Sequence, residues 1–204
     1  MVDIWHQTNA LESQIMTELG NPDYESYRRI FEDFQLYPFI QAVLIGAIYP
    51  FEKFLNDKGQ RIVEYVPTKR DRSEAGFKLS LGMGKVLYQS GGVKEWKAGG
   101  SKTCRTVIWQ YTKIIIVLGL YSGKDKELYK RLAKGLGVKH RQWLNDELIA
   151  AVAVATDTTQ EVASLRLHYA FSDDKKGDRR VSATAGRFTR MLYKRLWKAF
   201  KSNK

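Results

Sequence analysis

The sequence predicts a mainly α fold: a bundle of seven to nine helices, in one compact unit or two packed sub-bundles. Three observations carry this. Apolar residues recur three and four apart along most of the chain, helix-starting signals precede those stripes, and the four prolines and most glycines fall between them. With 204 residues and 44% hydrophobic content, the chain is long enough to bury a core.

Ile4, Leu11, Ile15 and Leu19 predict a first helix that stops at Gly20. Asn21 then suits an N-cap and Pro22 the first helical position, where its missing N–H costs no bond. Asp23 and Glu25 suit the positive end of that helix dipole, and Tyr24, Tyr27, Phe31 and Phe34 form its expected buried stripe. Pro38 and Pro50 bracket eleven residues that are apolar apart from Gln41 and Gly46. As a helix these span about 16 Å, half a bilayer, so they read as a core helix that kinks at Pro50 and continues through Phe51, Phe54 and Leu55.

Ile62, Glu64 and Val66 alternate as a short strand, and Pro67–Ser73 is the charged connection at an internal boundary. The parts on either side are 1–68, acidic and aromatic-rich, and 69–204, basic. Ser73 is the expected cap of a helix carrying Phe77, Leu81 and Tyr88, followed by a glycine-rich loop from Gly91 to Thr103. Thr106–Tyr121 has β-branched residues that favour a strand, but its length favours a buried helix, and Gln110 and Lys113 near its middle argue against a membrane span. Ser122 caps the next helix, which runs through Leu128, Leu132 and Leu136 and ends at Gly135–Gly137. Trp143, Leu144, Leu148, Ala151, Val152 and Ala155 mark another. Thr158 and Glu161, three apart, match a capping box ahead of Val162, Leu165 and Tyr169. Ser172–Arg180 reads as a solvated loop, and the last helix is expected from about Ser182 to Phe200.

Charge is segregated. Residues 1–68 carry 5 basic and 10 acidic side chains, 69–141 carry 17 and 5, 142–172 carry 1 and 4, and 173–204 carry 11 and 3, within a net charge of +12. Two basic regions separated by an acidic one point to a polyanionic partner rather than to charge spread for solubility. On the last helix Val181, Ala185, Phe188, Leu192, Leu196 and Ala199 form the core stripe. Opposite it Arg187, Arg190, Lys194, Lys198 and Lys201, spaced 3, 4, 4 and 3 apart, project within roughly 80° of one another. No carboxylate lies between Arg179 and Lys204, so the i,i+4 partners that would neutralise this row are missing. The row spans about 21 Å, the axial rise of roughly six nucleotides of one strand.

In the middle of the chain Lys94, Lys97, Lys102 and Arg105 lie in or beside the glycine loop, where backbone N–H groups also suit phosphate and Trp96 suits a base. Lys130, Arg131 and Lys134 extend this basic region along the following helix. All of these are candidate nucleic-acid contacts, RNA or DNA, with a single-stranded backbone the favoured form.

Catalytic chemistry is not legible. In GGVKEWKAGGSKT, Gly91–Thr103, a phosphate-binding loop G-x-x-x-x-G-K-[ST] would need glycines where Trp96 and Ser101 stand. His6, His140 and His168 are isolated, and the adjacent pairs Asp146–Glu147 and Asp173–Asp174 do not make a spaced acid/base or two-metal set. Cys104 has no identified base, although Lys102 and Arg105 beside it favour the thiolate. The reading is of a non-enzymatic protein with no cofactor and no metal. A single cysteine and an N-terminal stretch without a signal-peptide pattern predict a cytoplasmic location.

A basic, helical chain of this size, carrying the rows KDKELYKRLAKGLGVKHR and RFTRMLYKRLWKAFK, resembles the small subunit of multisubunit CRISPR effector complexes, or the equivalent C-terminal helical part of their large subunit. The resemblance implies a non-catalytic, strand-holding role in a ribonucleoprotein, beside other protein subunits or further copies of itself, with no residue carried over. Two other classes stand beside it: a helix-turn-helix-like DNA-binding regulator using the short helices near 125–155, and a peripheral protein whose basic last helix lies on an anionic membrane surface.

Overall fold

The computed structural model describes residues 2–65, 70–90, 93–117, 124–139, 142–172 and 177–202. Nine α-helices dominate the described residues: α1 (Val2–Leu19), α2 (Glu25–Asp33), α3 (Pro38–Ile48), α4 (Arg72–Ser80), α5 (Lys102–Tyr111), α6 (Lys124–Gly135), α7 (Asp146–Ala155), α8 (Gln160–Phe171) and α9 (Asp178–Ser202). Two short antiparallel pairs accompany them, β1 (Val63–Glu64) with β2 (Arg70–Asp71) and β3 (Lys85–Ser90) with β4 (Val93–Ala98). The fold is mainly α, as the apolar periodicity predicts.

The chain forms two compact units. The first comprises Met1–Ile30, Tyr37–Val107 and Thr189–Lys204, the second Phe31–Leu36 and Ile108–Phe188. The charge boundary at residue 68 lies inside the first unit, and α9 supplies residues to both.

In the first unit Asn21 caps a 3-10 turn, Pro22–Tyr24, by accepting from the Asp23 N–H, and α2 follows directly. α3 ends at Ile48 rather than kinking onward, because Pro50 has no N–H to continue the ladder. A 3-10 turn, Phe51–Phe54, then drops Phe51 and Phe54 into the core. Their rings meet Phe77 and each other at centroid separations of 5.4–6.0 Å, and Phe51 also meets Tyr193 at 5.9 Å and Phe200 at 5.3 Å. The Tyr27 hydroxyl accepts from the Phe51 N–H at 2.7 Å, so a buried donor is satisfied inside the aromatic cluster.

Three expectations are corrected here. The cap of α4 is Asp71, whose carboxylate accepts from the Glu74 N–H at 2.9 Å; Ser73 is buried and accepts from the Ile62 N–H instead. α4 stops at Ser80, so Tyr88 stands on a strand: Gly82, at φ +70°, breaks the helix, and KVLYQS favours a pleated backbone. Val93–Ala98 is likewise strand β4, not part of a loop.

In the second unit α5 continues as a π-helical segment, Thr112–Val117, so the long apolar run is helical through its described part; residues 118–121 and the Ser122 cap lie outside the described residues. α7 starts at Asp146, capped by Asn145, whose side chain accepts from the Glu147 and Leu148 N–H groups. Trp143 and Leu144 therefore precede the helix, and Trp143 stacks on Phe171 at 3.8 Å. The cap of α8 is Thr159, one residue after the expected Thr158. Tyr129, Leu148, Val152, Ala163, Leu167 and Phe171 make a core whose small members let α7 and α8 approach closely. No helix among the described residues is long and apolar enough to cross a membrane.

Candidate nucleic-acid interface

α9 is longer than its periodicity predicts and buries Val181, Ala185, Phe188, Leu192 and Leu196 as one stripe. The cations of its other side differ in what they touch. Arg187 is half-buried, and its guanidinium donates to the buried Ser164 hydroxyl at 3.0 Å. Arg190 is exposed and donates through Nε to Glu74 Oε1 at 3.3 Å.

The ion pair of Arg190 corrects the expectation of an uncompensated row: the carboxylate arrives from α4, where no spacing rule along α9 would find it. Burial raises the Glu74 pKa, but Lys78 and Arg190 outweigh it and hold the carboxyl below the ordinary glutamate range. One carboxylate shared by two cations leaves the local charge positive. Lys194, Lys198 and Lys201 are exposed near the C-terminal end of α9. Lys201 lies over the Trp197 ring at 5.3 Å, and the Arg61 guanidinium lies over the same ring at 4.3 Å. From Lys194 to Lys201 the helix rises about 10 Å, roughly three nucleotides of one strand.

The mid-chain candidates sit on the β3–β4 hairpin and the start of α5. Lys94 and Trp96 share one face of β4, while Lys97 points to the other, over the Tyr88 ring at 4.2 Å and 3.4 Å from Glu95. Lys102 is exposed in the first turn of α5. Arg105 is turned inward: its Nε donates to Gly82 O at 2.8 Å and its terminal NH2 to Gly99 O at 3.3 Å. Two of the five guanidinium donors go to the carbonyls of those two turns, so Arg105 ties the chain together at that point. On α6, Lys130 pairs with Glu127 at 2.8 Å, and that bond keeps the Glu127 carboxyl below its ordinary range; Arg131 and Lys134 are exposed.

Sequence reasoning missed Glu74 as a partner, the Arg61–Trp197–Lys201 stack and Lys85 on the hairpin. The hairpin had a signal: two alternating runs, KVLYQS and VKEWKA, separated by Gly91 and Gly92. The other two depend on long-range contacts and had none.

No known protein family, curated protein or solved structure matches this chain.

Among the described residues no group of three or more His, Cys, Asp or Glu side chains is placed to hold a metal ion. His168 lies 3.0 Å from the Thr184 hydroxyl through Nδ1, and Cys104 is buried with its thiol toward Val43 O. His140, Arg141 and the Asp173–Asp174 pair lie outside the described residues. α6 and α7, the two helices of the helix-turn-helix reading, are separated by the ten residues 136–145, whereas that motif joins its helices by a turn of three or four. What the surface offers is ammonium groups and exposed aromatic rings.

Proposed function

We infer that this protein is a non-catalytic nucleic-acid-binding subunit that holds a sugar-phosphate backbone without reading its sequence. The observation that carries this is the exposure of Lys194 and Lys201, seven residues apart on one side of a helix with no carboxylate after Asp178. Lys198 is exposed between them at i,i+3 and i,i+4 spacing, so the phosphate oxygens of one strand can meet all three. The CRISPR resemblance sets the wider reading, a strand-holding component of an interference complex in the cytoplasm, working beside other protein subunits.

The test is a titration of a fluorescently labelled single-stranded oligonucleotide at several salt concentrations. Gln at all three lysines is expected to make the log K against log salt slope shallower by about 2, so the advantage of the unmodified protein shrinks roughly twentyfold over a fourfold rise in salt. An unchanged slope would remove α9 from the interface.

A further inference from the structure

The β3–β4 hairpin is a two-stranded ribbon whose apolar residues face water on both sides: Val86, Leu87, Tyr88 and Trp96 are 40%, 49%, 49% and 63% exposed. An isolated ribbon of this kind is marginal in water, so its geometry must be fixed at its root. Gly82 and Gly100 have positive φ, and a Cβ on them would fall 2.0 Å from Ser101 O and 1.5 Å from Leu79 O, so chain segments at the root cross in direct backbone contact. Arg105 ties the two ends together through the Gly82 and Gly99 carbonyls. The arm is thus held from its base, not from its faces.

The two faces differ in chemistry. Cross-strand partners Val86↔Lys97 and Tyr88↔Glu95 lie on one, where Lys97 covers Tyr88 and pairs with Glu95. The other carries Lys85↔Ala98, Leu87↔Trp96 and Gln89↔Lys94. No carboxylate belongs to this second face, and Lys85 and Lys94 have no carboxylate partner among the described residues. Along the strands the two lysines flank the Leu87–Trp96 pair, each about 7 Å from it, one step of the same-face repeat.

We propose that this face is a stacking platform for an unpaired base of a nucleic-acid strand, with Trp96 under the base and Lys85 and Lys94 on the phosphates to either side. A planar ring exposed between two uncompensated cations suits a ligand that is apolar and flat in its middle and anionic at its flanks, which is a nucleotide within a strand. A second copy of this chain is disfavoured, because like faces would bring four lysines together. The inference rests on the nucleic-acid reading above and adds to it a site of contact with an unpaired base.

The experiment compares three probes: a single-stranded oligothymidine, the same length of abasic strand, and a duplex. Trp96→Ala is expected to weaken oligothymidine binding about tenfold, within the range for one lost stack, with the salt slope unchanged and Trp96→Phe retaining most of the affinity. Binding of the abasic strand and the duplex should be insensitive to Trp96→Ala. Gln at both Lys85 and Lys94 should make the oligothymidine slope shallower by about 1.4. Thermal melts of each variant check folding, which an exposed site should leave intact. Equal oligothymidine affinity for the unmodified protein and Trp96→Ala overturns the platform while leaving the α9 reading in place. So does self-association that Trp96→Ala abolishes with nucleic-acid affinity unaltered. Failure of the unmodified protein to bind any of the three probes overturns both readings together.

Discussion

Arg105 counts as a charge in the sequence and serves as a clamp in the fold, and its two carbonyl bonds make that distinction measurable. Lysine at 105 keeps the charge but cannot span both carbonyls, so Arg105→Lys should cost about 1–3 kcal/mol in urea unfolding while the salt slope of nucleic-acid binding is unchanged. Stability equal to the unmodified protein would show the clamp to be dispensable. Glu74 is the converse, an acidic residue that takes one cation out of a basic row. Its carboxyl is held below the ordinary range, so its stabilising contribution is present in full above the free glutamate pKa and is lost as pH falls through the lowered folded value. Glu74→Gln should flatten that acid limb of the stability profile. It should also strengthen oligonucleotide binding at low salt by freeing the Arg190 guanidinium; unchanged affinity would place Arg190 away from the bound strand. The positions of the candidate cations along α9 were legible from spacing alone. Which of them are occupied was not, because Glu74 and Ser164 reach Arg190 and Arg187 from other helices.

The helices were legible where one stripe of apolar residues ran without competition, as in α6 and α9, because burial of one side decides the structure there. They were misjudged where short-range chemistry competed. Between Ser80 and Lys102, glycine at positive φ and a β-branched, aromatic run turned an expected helix and loop into a hairpin. Caps were displaced by one or two residues wherever two hydroxyl or carboxylate side chains lay close together, since sequence does not say which will have the extended backbone of an N-cap. Thr158 and Thr159 test this directly. Thr159 has the extended conformation, accepts from the Val162 N–H at 3.3 Å and donates to Asp33 O, whereas Thr158 makes a bond of 3.4 Å with Gln35 Oε1 at the surface. Thr159→Ala should cost about 1–2 kcal/mol in chemical unfolding and Thr158→Ala within about 0.5 kcal/mol of nothing. Equal costs would mean that the two threonines share the cap.

At the scale of the whole molecule, aromatic hydroxyls sit inside both units. Tyr27 and Tyr193 are buried in the first and Tyr111 in the second, where its hydroxyl donates to Phe34 O at 2.7 Å. Burial raises all three pKa values above the ordinary 10.0, that of Tyr193 to about 12 and the other two further. Below pH 10 each phenol is protonated in the folded and the unfolded chain alike, so its contribution is present in full. Above that pH the unfolded chain ionises first, and stability falls as pH rises toward the folded values. Lysine deprotonation acts in the opposite direction over the same range, since it relieves the self-repulsion of a chain with net charge +12. The two effects separate by spectroscopy. The buried tyrosines should ionise only together with the loss of helical circular dichroism, as a late step in tyrosinate absorbance. Tyr193→Phe should reduce the amplitude of that late step. Complete tyrosinate formation with helical dichroism intact would mean that hydroxide reaches these hydroxyls in the native fold, and burial would then not govern the alkaline limit.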